Sequence, residues 1–233
     1  MPRLFVDVDA DQPNRAQLDA RHLRALRLGV GDAFEAIVAP GAVRIATIEA
    51  LTRQRATVTL GDDVPAGPAD PGRPVVLAIA LADFARFDSV IEKATELGAT
   101  KIVPFRAARS QIGKLTDARR ERWRRIARTA CEQCGRTQPP EITGEISLEA
   151  IDTHVPPQAH QVVLSPEAGD AWDGDVGGAR ALVLYVGPEG GFTADEVRRL
   201  CDRGARLRSL GPRTLRFETA AAAALAVAGA QRG

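Results

Sequence analysis

A chain of 233 residues has room for one large domain or two smaller ones, and with 45% hydrophobic residues it can bury a substantial core. No apolar run approaches the roughly 20 residues that span a bilayer, and Met1-Pro2-Arg3-Leu4-Phe5-Val6-Asp7 lacks the basic and apolar regions of a signal peptide, so a soluble cytoplasmic protein is expected. A net charge of +1 says nothing about nucleic acid, and three cysteines with three scattered histidines offer neither a disulfide framework nor a recognisable metal set.

Up to about residue 70 the pattern predicts short strands, at 4–6, 33–38, 43–48 and 56–60, with turns such as Pro40-Gly41 between them. One short helix is predicted over 17–26. Together these elements read as a small β-barrel. Arg21, Arg24 and Arg27 recur every three residues and so fall near one helical face, which either meets phosphates or is simply solvated. Residues 62–74 then carry four prolines along with Gly67 and Gly72, the composition of a linker, which divides the chain into 1–72 and 73–233.

From Pro74 onward strand and helix alternate. Val75-Val76-Leu77-Ala78-Ile79-Ala80-Leu81 shows no polar alternation and reads as a strand buried on both faces. Phe87, Val90, Ile91, Ala94 and Leu97 follow at helical spacing, stopped by Gly98. A strand at 101–105 leads to a helix over 116–134 that carries Arg119, Arg120, Arg122, Arg124, Arg125 and Arg128. Between 101 and 136, eleven basic side chains stand against three acidic ones, a surface suited to solvent or to RNA phosphates. Cys131-Glu132-Gln133-Cys134 has CxxC spacing but lies inside the helical pattern with no second pair, so packed thiols are expected there. Further strands at 162–164, 182–186 and 207–210 complete an α/β domain with a largely parallel sheet.

Two stretches carry the chemistry. In Leu182-Val183-Leu184-Tyr185-Val186-Gly187-Pro188-Glu189-Gly190-Gly191-Phe192-Thr193-Ala194-Asp195-Glu196 a buried strand runs into a glycine turn and at once into a helix. Thr193 and Glu196 have the spacing of a capping box. Such a turn is where open α/β sheets usually bind ligands, and its glycines let backbone approach closely. The spacing is neither that of a Walker loop nor that of a dinucleotide fold. The second stretch is Leu210-Gly211-Pro212-Arg213-Thr214-Leu215-Arg216-Phe217-Glu218-Thr219-Ala220, which opens an alanine-rich helix. Small residues on every side of that helix suit either burial within the chain or a close approach to a second copy.

The pair GPEGGFTADE and LGPRTLRFETA, in this order, closely resembles the ribosomal RNA small subunit methyltransferase E family, of the SPOUT class of RNA methyltransferases. The resemblance extends upstream to Glu92-Lys93-Ala94-Thr95-Glu96-Leu97-Gly98, to Arg109-Ser110, to Arg122-Trp123 with Glu132-Gln133 and Arg136, and to Arg21-His22-Leu23-Arg24-Ala25-Leu26-Arg27-Leu28. It implies a PUA-like RNA-binding barrel over 1–72 and a methyltransferase domain with a deep trefoil knot over 73–233. It also implies S-adenosylmethionine as cofactor, no metal, a homodimer built near the last helix, and methylation of N3 of one uridine in 16S rRNA of the small ribosomal subunit. The cofactor pocket carried over comprises Leu164, Ser165, Gly187, Pro188, Glu189, Gly190, Gly191, Leu210, Gly211 and Leu215. Glu218 and Glu189 are the carboxylates nearest that pocket, either of them a candidate base, and Glu218 is equally suited to capping the last helix. Arg216 suits stabilisation of developing charge on the uracil, or a phosphate contact. Arg109, Arg122 and Arg136 join Arg21, Arg24 and Arg27 as candidate RNA contacts, Arg109 and Arg136 being equally suited to a partner subunit. The resemblance departs at Ala82-Asp83-Phe84-Ala85, where relatives often carry a lysine and Arg86 is the nearby basic residue. Two other functions fit the same residues: ribose 2′-O methylation of another RNA, and RNA binding without catalysis.

Overall fold

The computed structural model describes residues 1–67 and 72–230; residues 68–71, in the middle of the expected linker, and 231–233 lie outside the described residues. Backbone proximity separates two compact units, Met1–Ala69 with Arg128–Gln138, and Asp70–Ala127 with Pro139–Gly233. No helix among the described residues is long and apolar enough to cross a membrane.

The first unit contains β1 (Arg3–Phe5), β2 (Asp7–Val8), β3 (Arg15–Asp19), α1 (Ala20–Ala25), β4 (Ala33–Ala39), β5 (Ala42–Leu51) and β6 (Arg55–Val64). The strands form one sheet in the order β1-β4-β5-β6-β3-β2. Gly41, at a φ of 74°, supplies the left-handed position that turns β4 back as β5. Alternate residues such as Phe34, Ala36, Ala46, Ile48, Val58 and Leu60 point into one core.

The helix expected over 17–26 is corrected here. Ala16 and Leu18 are buried on alternate positions of β3, a period-two pattern that holds the segment in the sheet through Asp19. Asp19 accepts from the backbone N–H of Arg21 and so starts α1 one residue later. Leu26 caps the helix, and Arg27 beyond it adopts a left-handed φ of 59°. Arg27 therefore does not share a helical face with Arg21 and Arg24.

The second unit begins with β7 (Val75–Ala80), α2 (Phe84–Glu96), β8 (Lys101–Arg106) and α3 (Asp117–Cys134), whose last turns group with the first unit. It continues through β9 (Glu141–Ile142), β10 (Ile146–Ser147), a 3-10 segment at Leu148–His154, β11 (Ala159–Leu164), β12 (Ala181–Val186), α4 (Ala194–Asp202), β13 (Arg206–Arg208) and α5 (Phe217–Ala230). The sheet is parallel throughout, in the order β10-β8-β7-β12-β11-β13, with β9 also paired to β8. β12 thus enters between β7 and β11, although it follows both in the chain.

Both faces of this sheet are covered. Along β7, Val75, Leu77 and Ile79 face the side covered by α2, α3 and α5, while Val76, Ala78 and Ala80 face the opposite side, with Tyr185 and Leu200. Each fully buried aliphatic side chain of this kind contributes about 1.5–3 kcal/mol, which is why these strands tolerate no polar position. Trp123 stacks on Phe87 at 4.3 Å and donates its indole N–H to Asp88 at 2.9 Å, so a wholly buried Trp leaves no polar atom unpaired. α5 lays Ala221, Ala224, Leu225 and Ala228 against the core, and Phe217 lies 5.8 Å from Phe87 of α2. One face of the small-residue helix is therefore buried within the chain itself.

Candidate active site

β13, β11 and β12 lie side by side, and the register sets Leu164 opposite both Val186 and Arg208. The three loops that follow, 165–167, 187–191 and 210–215, consequently leave the same carboxyl edge of a parallel sheet, the usual place for a ligand crevice. Ser165 donates its backbone N–H to the carbonyl of Arg208 at 2.9 Å, and its hydroxyl accepts from Glu167 at 3.2 Å. The first loop is thereby tied to the strand that precedes the third.

The glycine turn after β12 is shaped by close packing. A Cβ on Gly187 would lie 3.1 Å from both the ring and the backbone nitrogen of Phe192, closer than ordinary packing allows. Gly191 sits at a φ of 68° and donates to the carbonyl of Pro188 at 2.8 Å. Thr193 and Glu196 form the capping box that their spacing predicts, with both reciprocal bonds present.

Glu196 does more than cap. It is only 6% exposed, and its other carboxylate oxygen accepts the backbone N–H of Ala108 at 2.7 Å. In the same loop, Arg109 donates to the carbonyl of Gly190 at 2.6 Å. The loop after β8 is therefore fastened twice to the turn after β12, by groups that a linear reading keeps apart. Asp83 accepts the N–H groups of Ala85 and Arg86 and caps α2, which gives the departure at that position a structural role.

The remaining candidates fall as follows. Leu164 and Pro188 are buried, while Leu210, Gly211 and Leu215 are half-buried along the third loop. Glu189 is exposed, and its carboxylate lies 3.7 Å from the guanidinium of Arg86. Arg216 is exposed just before α5, and Glu218 stands in the first turn of that helix with Oε2 shielded from solvent and without a hydrogen-bond partner among the described residues. Tyr185, on β12, is held well above the ordinary phenol range by burial and donates to Gln161 at 2.6 Å, so it stays outside the acid–base chemistry.

The arginines expected to meet RNA have varied surroundings. Arg122 is paired with Asp88 at 2.8 Å, and Arg136 is buried, 7% exposed. In the first unit, Arg21 pairs with Asp19 at 2.5 Å and holds that carboxyl well below its usual range. Arg24 donates to the carbonyls of Arg53 and Thr52 at 2.7 and 2.6 Å. Asp19, Arg21 and Arg24, with Arg53 from the β5–β6 connection and Arg55 from the start of β6, line a cavity of about 730 Å³. Arg53 and Arg55 escape a sequence reading because only strand pairing brings that connection beside α1. Among the described residues, no group of three or more His, Cys, Asp or Glu side chains is arranged to hold a metal ion.

A family model described as an RNA methyltransferase domain matches residues 69–229. The chain is 38% identical over 165 residues to the ribosomal RNA small subunit methyltransferase E of Mycobacterium bovis, a match covering 67% of this chain and 63% of that relative. It is 32% identical over 213 residues to the protein of the same name from Synechocystis sp., covering 87% of this chain and 67% of the relative. The crystal structure of a ribosomal RNA small subunit methyltransferase E from Neisseria gonorrhoeae bound to S-adenosyl methionine matches with a TM-score of 0.84 at 29% identity, over 97% of this chain and 95% of that one. The match thus spans less than two thirds of the length of the Mycobacterium bovis relative.

Proposed function

This chain belongs to the ribosomal RNA small subunit methyltransferase E family, and from that premise we propose that it methylates N3 of one uridine in 16S rRNA of the small ribosomal subunit with S-adenosylmethionine as the methyl donor. The observation that carries this reading is the convergence of the loops 165–167, 187–191 and 210–215 on one sheet edge. The Neisseria gonorrhoeae relative, which matches over nearly its whole length, was crystallised with S-adenosyl methionine bound.

S-adenosylmethionine, when bound, supplies an electrophilic methyl group on a sulfonium sulfur. The chain must align the acceptor and remove its proton. Gly187, Gly190 and Gly191 leave backbone groups free to approach the cofactor, with Leu164, Ser165, Pro188, Leu210, Gly211 and Leu215 as the remaining walls. Glu189 or Glu218 takes the N3 proton, and Arg216 balances the charge that develops on the ring or holds a neighbouring phosphate.

The larger reading divides the chain into a PUA-like RNA-binding barrel over 1–72 and a SPOUT methyltransferase domain with a trefoil knot over 73–233. The arginine-lined cavity of the first unit supports the former, and the late entry of β12 between β7 and β11 supports the latter. The side of α5 turned away from the core, which includes Ala226, suits a homodimer contact. The cytoplasm, where ribosomes are found, is the expected location.

The test is methyl transfer from labelled S-adenosylmethionine to small subunits purified from a strain lacking this gene, with the rRNA nucleosides resolved by mass spectrometry. New 3-methyluridine in 16S rRNA is the expected result. A ribose methyl group, or a mark in another RNA, would keep the cofactor and replace the target. Cofactor binding without transfer would replace catalysis by RNA binding.

A further inference from the structure

A cavity of about 510 Å³, within the ordinary size range for small-ligand sites, opens beside the glycine turn and is lined by Asp83, Arg109, Gln111, Ile112, Glu189 and Gly190. None of the loops 165–167 and 210–215 contributes to it. Its walls follow β7, β8 and β12, whereas the proposed cofactor loops follow β12, β11 and β13. In the sheet order β8-β7-β12-β11-β13 the turn after β12 is the wall common to both. Methyl transfer needs donor and acceptor about 3–3.5 Å apart, so an acceptor site must share a wall with the donor site.

Resting on the methyltransferase reading above, we propose that this cavity receives the target uracil, edge-on to Glu189 and Gln111. The lining favours a neutral heterocycle over a phosphate. Asp83 and Glu189 carry negative charge, Arg109 and the Arg86 guanidinium 3.7 Å from Glu189 carry positive charge, and Ile112 offers an apolar surface to the ring. Gln111 is exposed, and its side-chain amide makes no hydrogen bond among the described residues. A uracil edge presents two carbonyl oxygens flanking N3–H, which calls for an amide donor beside a carboxylate acceptor. Cytosine presents a lone pair at N3, which would face the Glu189 carboxylate and be repelled.

The step balances at these groups. The Glu189 carboxylate accepts the N3 proton, and N3 forms its bond to the methyl carbon as the bond from that carbon to sulfur breaks. The electron pair stays on sulfur, leaving a neutral thioether. The negative charge that passes through O2 and O4 is met by the Gln111 amide and the two guanidinium groups.

Full-length wild type, Gln111→Ala and Glu189→Gln would be compared for S-adenosylmethionine affinity by calorimetry and for single-turnover transfer to unmethylated small subunits. Gln111→Ala is expected to keep cofactor affinity within about twofold and to lose roughly tenfold in transfer efficiency, the effect of one deleted hydrogen bond to the base. Glu189→Gln is expected to lose about 10²–10⁴-fold in rate with cofactor affinity retained. Transfer by Gln111→Ala at the wild-type rate would overturn the cavity assignment while wild-type activity upheld the methyltransferase reading. Loss of cofactor affinity in Gln111→Ala would also overturn it, by giving the cavity to the cofactor. Absence of transfer by the wild type would overturn both.

Discussion

Arg109 donates to the carbonyl oxygen of Gly190 at 2.6 Å, across 81 positions of sequence. A side chain whose neighbourhood suggests an RNA contact thus holds the glycine turn in place from the loop after β8. The two roles predict different measurements. Arg109→Ala should weaken S-adenosylmethionine binding about three- to tenfold, the equivalent of one hydrogen bond, with Arg109→Lys recovering part of the loss. If the residue served only rRNA phosphates, calorimetry would find cofactor affinity unchanged and only the KM for small subunits would rise.

Glu196 makes a stronger demand on stability. Its buried carboxylate accepts from Thr193 at 2.8 Å and from Ala108 at 2.7 Å, so truncation leaves two backbone donors unmet. Glu196→Ala should cost about 2–4 kcal/mol in urea unfolding, and Glu196→Gln about half as much. Both tryptophans, Trp123 and Trp172, lie in the second unit, so their fluorescence follows the relevant transition.

Glycine substitutions separate close packing from mere presence in a helix. Gly187→Ala forces a methyl group to 3.1 Å from the Phe192 backbone and should lower both the melting temperature and cofactor affinity. Gly229→Ala, inside α5 with nothing within 4 Å of the added carbon, should be neutral or stabilise by up to about 1 kcal/mol. Thermal melts with and without S-adenosylmethionine distinguish the two.

A pH effect is expected in the first unit. Burial pushes the Glu132 carboxyl above its ordinary value of 4.5, partly opposed by the N–H of Phe5, which it accepts at 3.1 Å. Folding therefore favours the protonated form. That contribution is complete below the ordinary carboxylate range and is lost as pH rises through the raised folded value, so the charged group weakens the fold at neutral pH. Glu132→Gln keeps an acceptor for Phe5 and should raise the melting temperature at pH 7, with the gain fading toward pH 4. Calorimetry across that interval checks the sign.

Elements whose cause is local could be read directly. The unbroken apolar runs at β7 and β12, the stop at Gly98 and the capping box at Thr193 and Glu196 depend on neighbours within a few residues. The motif at 187–196 and that at 210–220 were sufficient to recognise the family. The helix expected over 17–26 begins later because Ala16 and Leu18 answer to a strand partner, β6, that lies about forty residues away in the sequence.

The sequence by itself therefore determined the α/β alternation, the glycine turn and its helix cap, because propensity, steric exclusion and side-chain capping act over one or two turns of chain. Only the tertiary structure decided that β12 stands between β7 and β11, that Arg109 and Glu196 fasten the glycine turn, and that Gln111 faces the same cavity as Glu189. Lateral strand order and such distant hydrogen bonds are set by which surfaces bury one another, a property of the whole core and not of any short stretch.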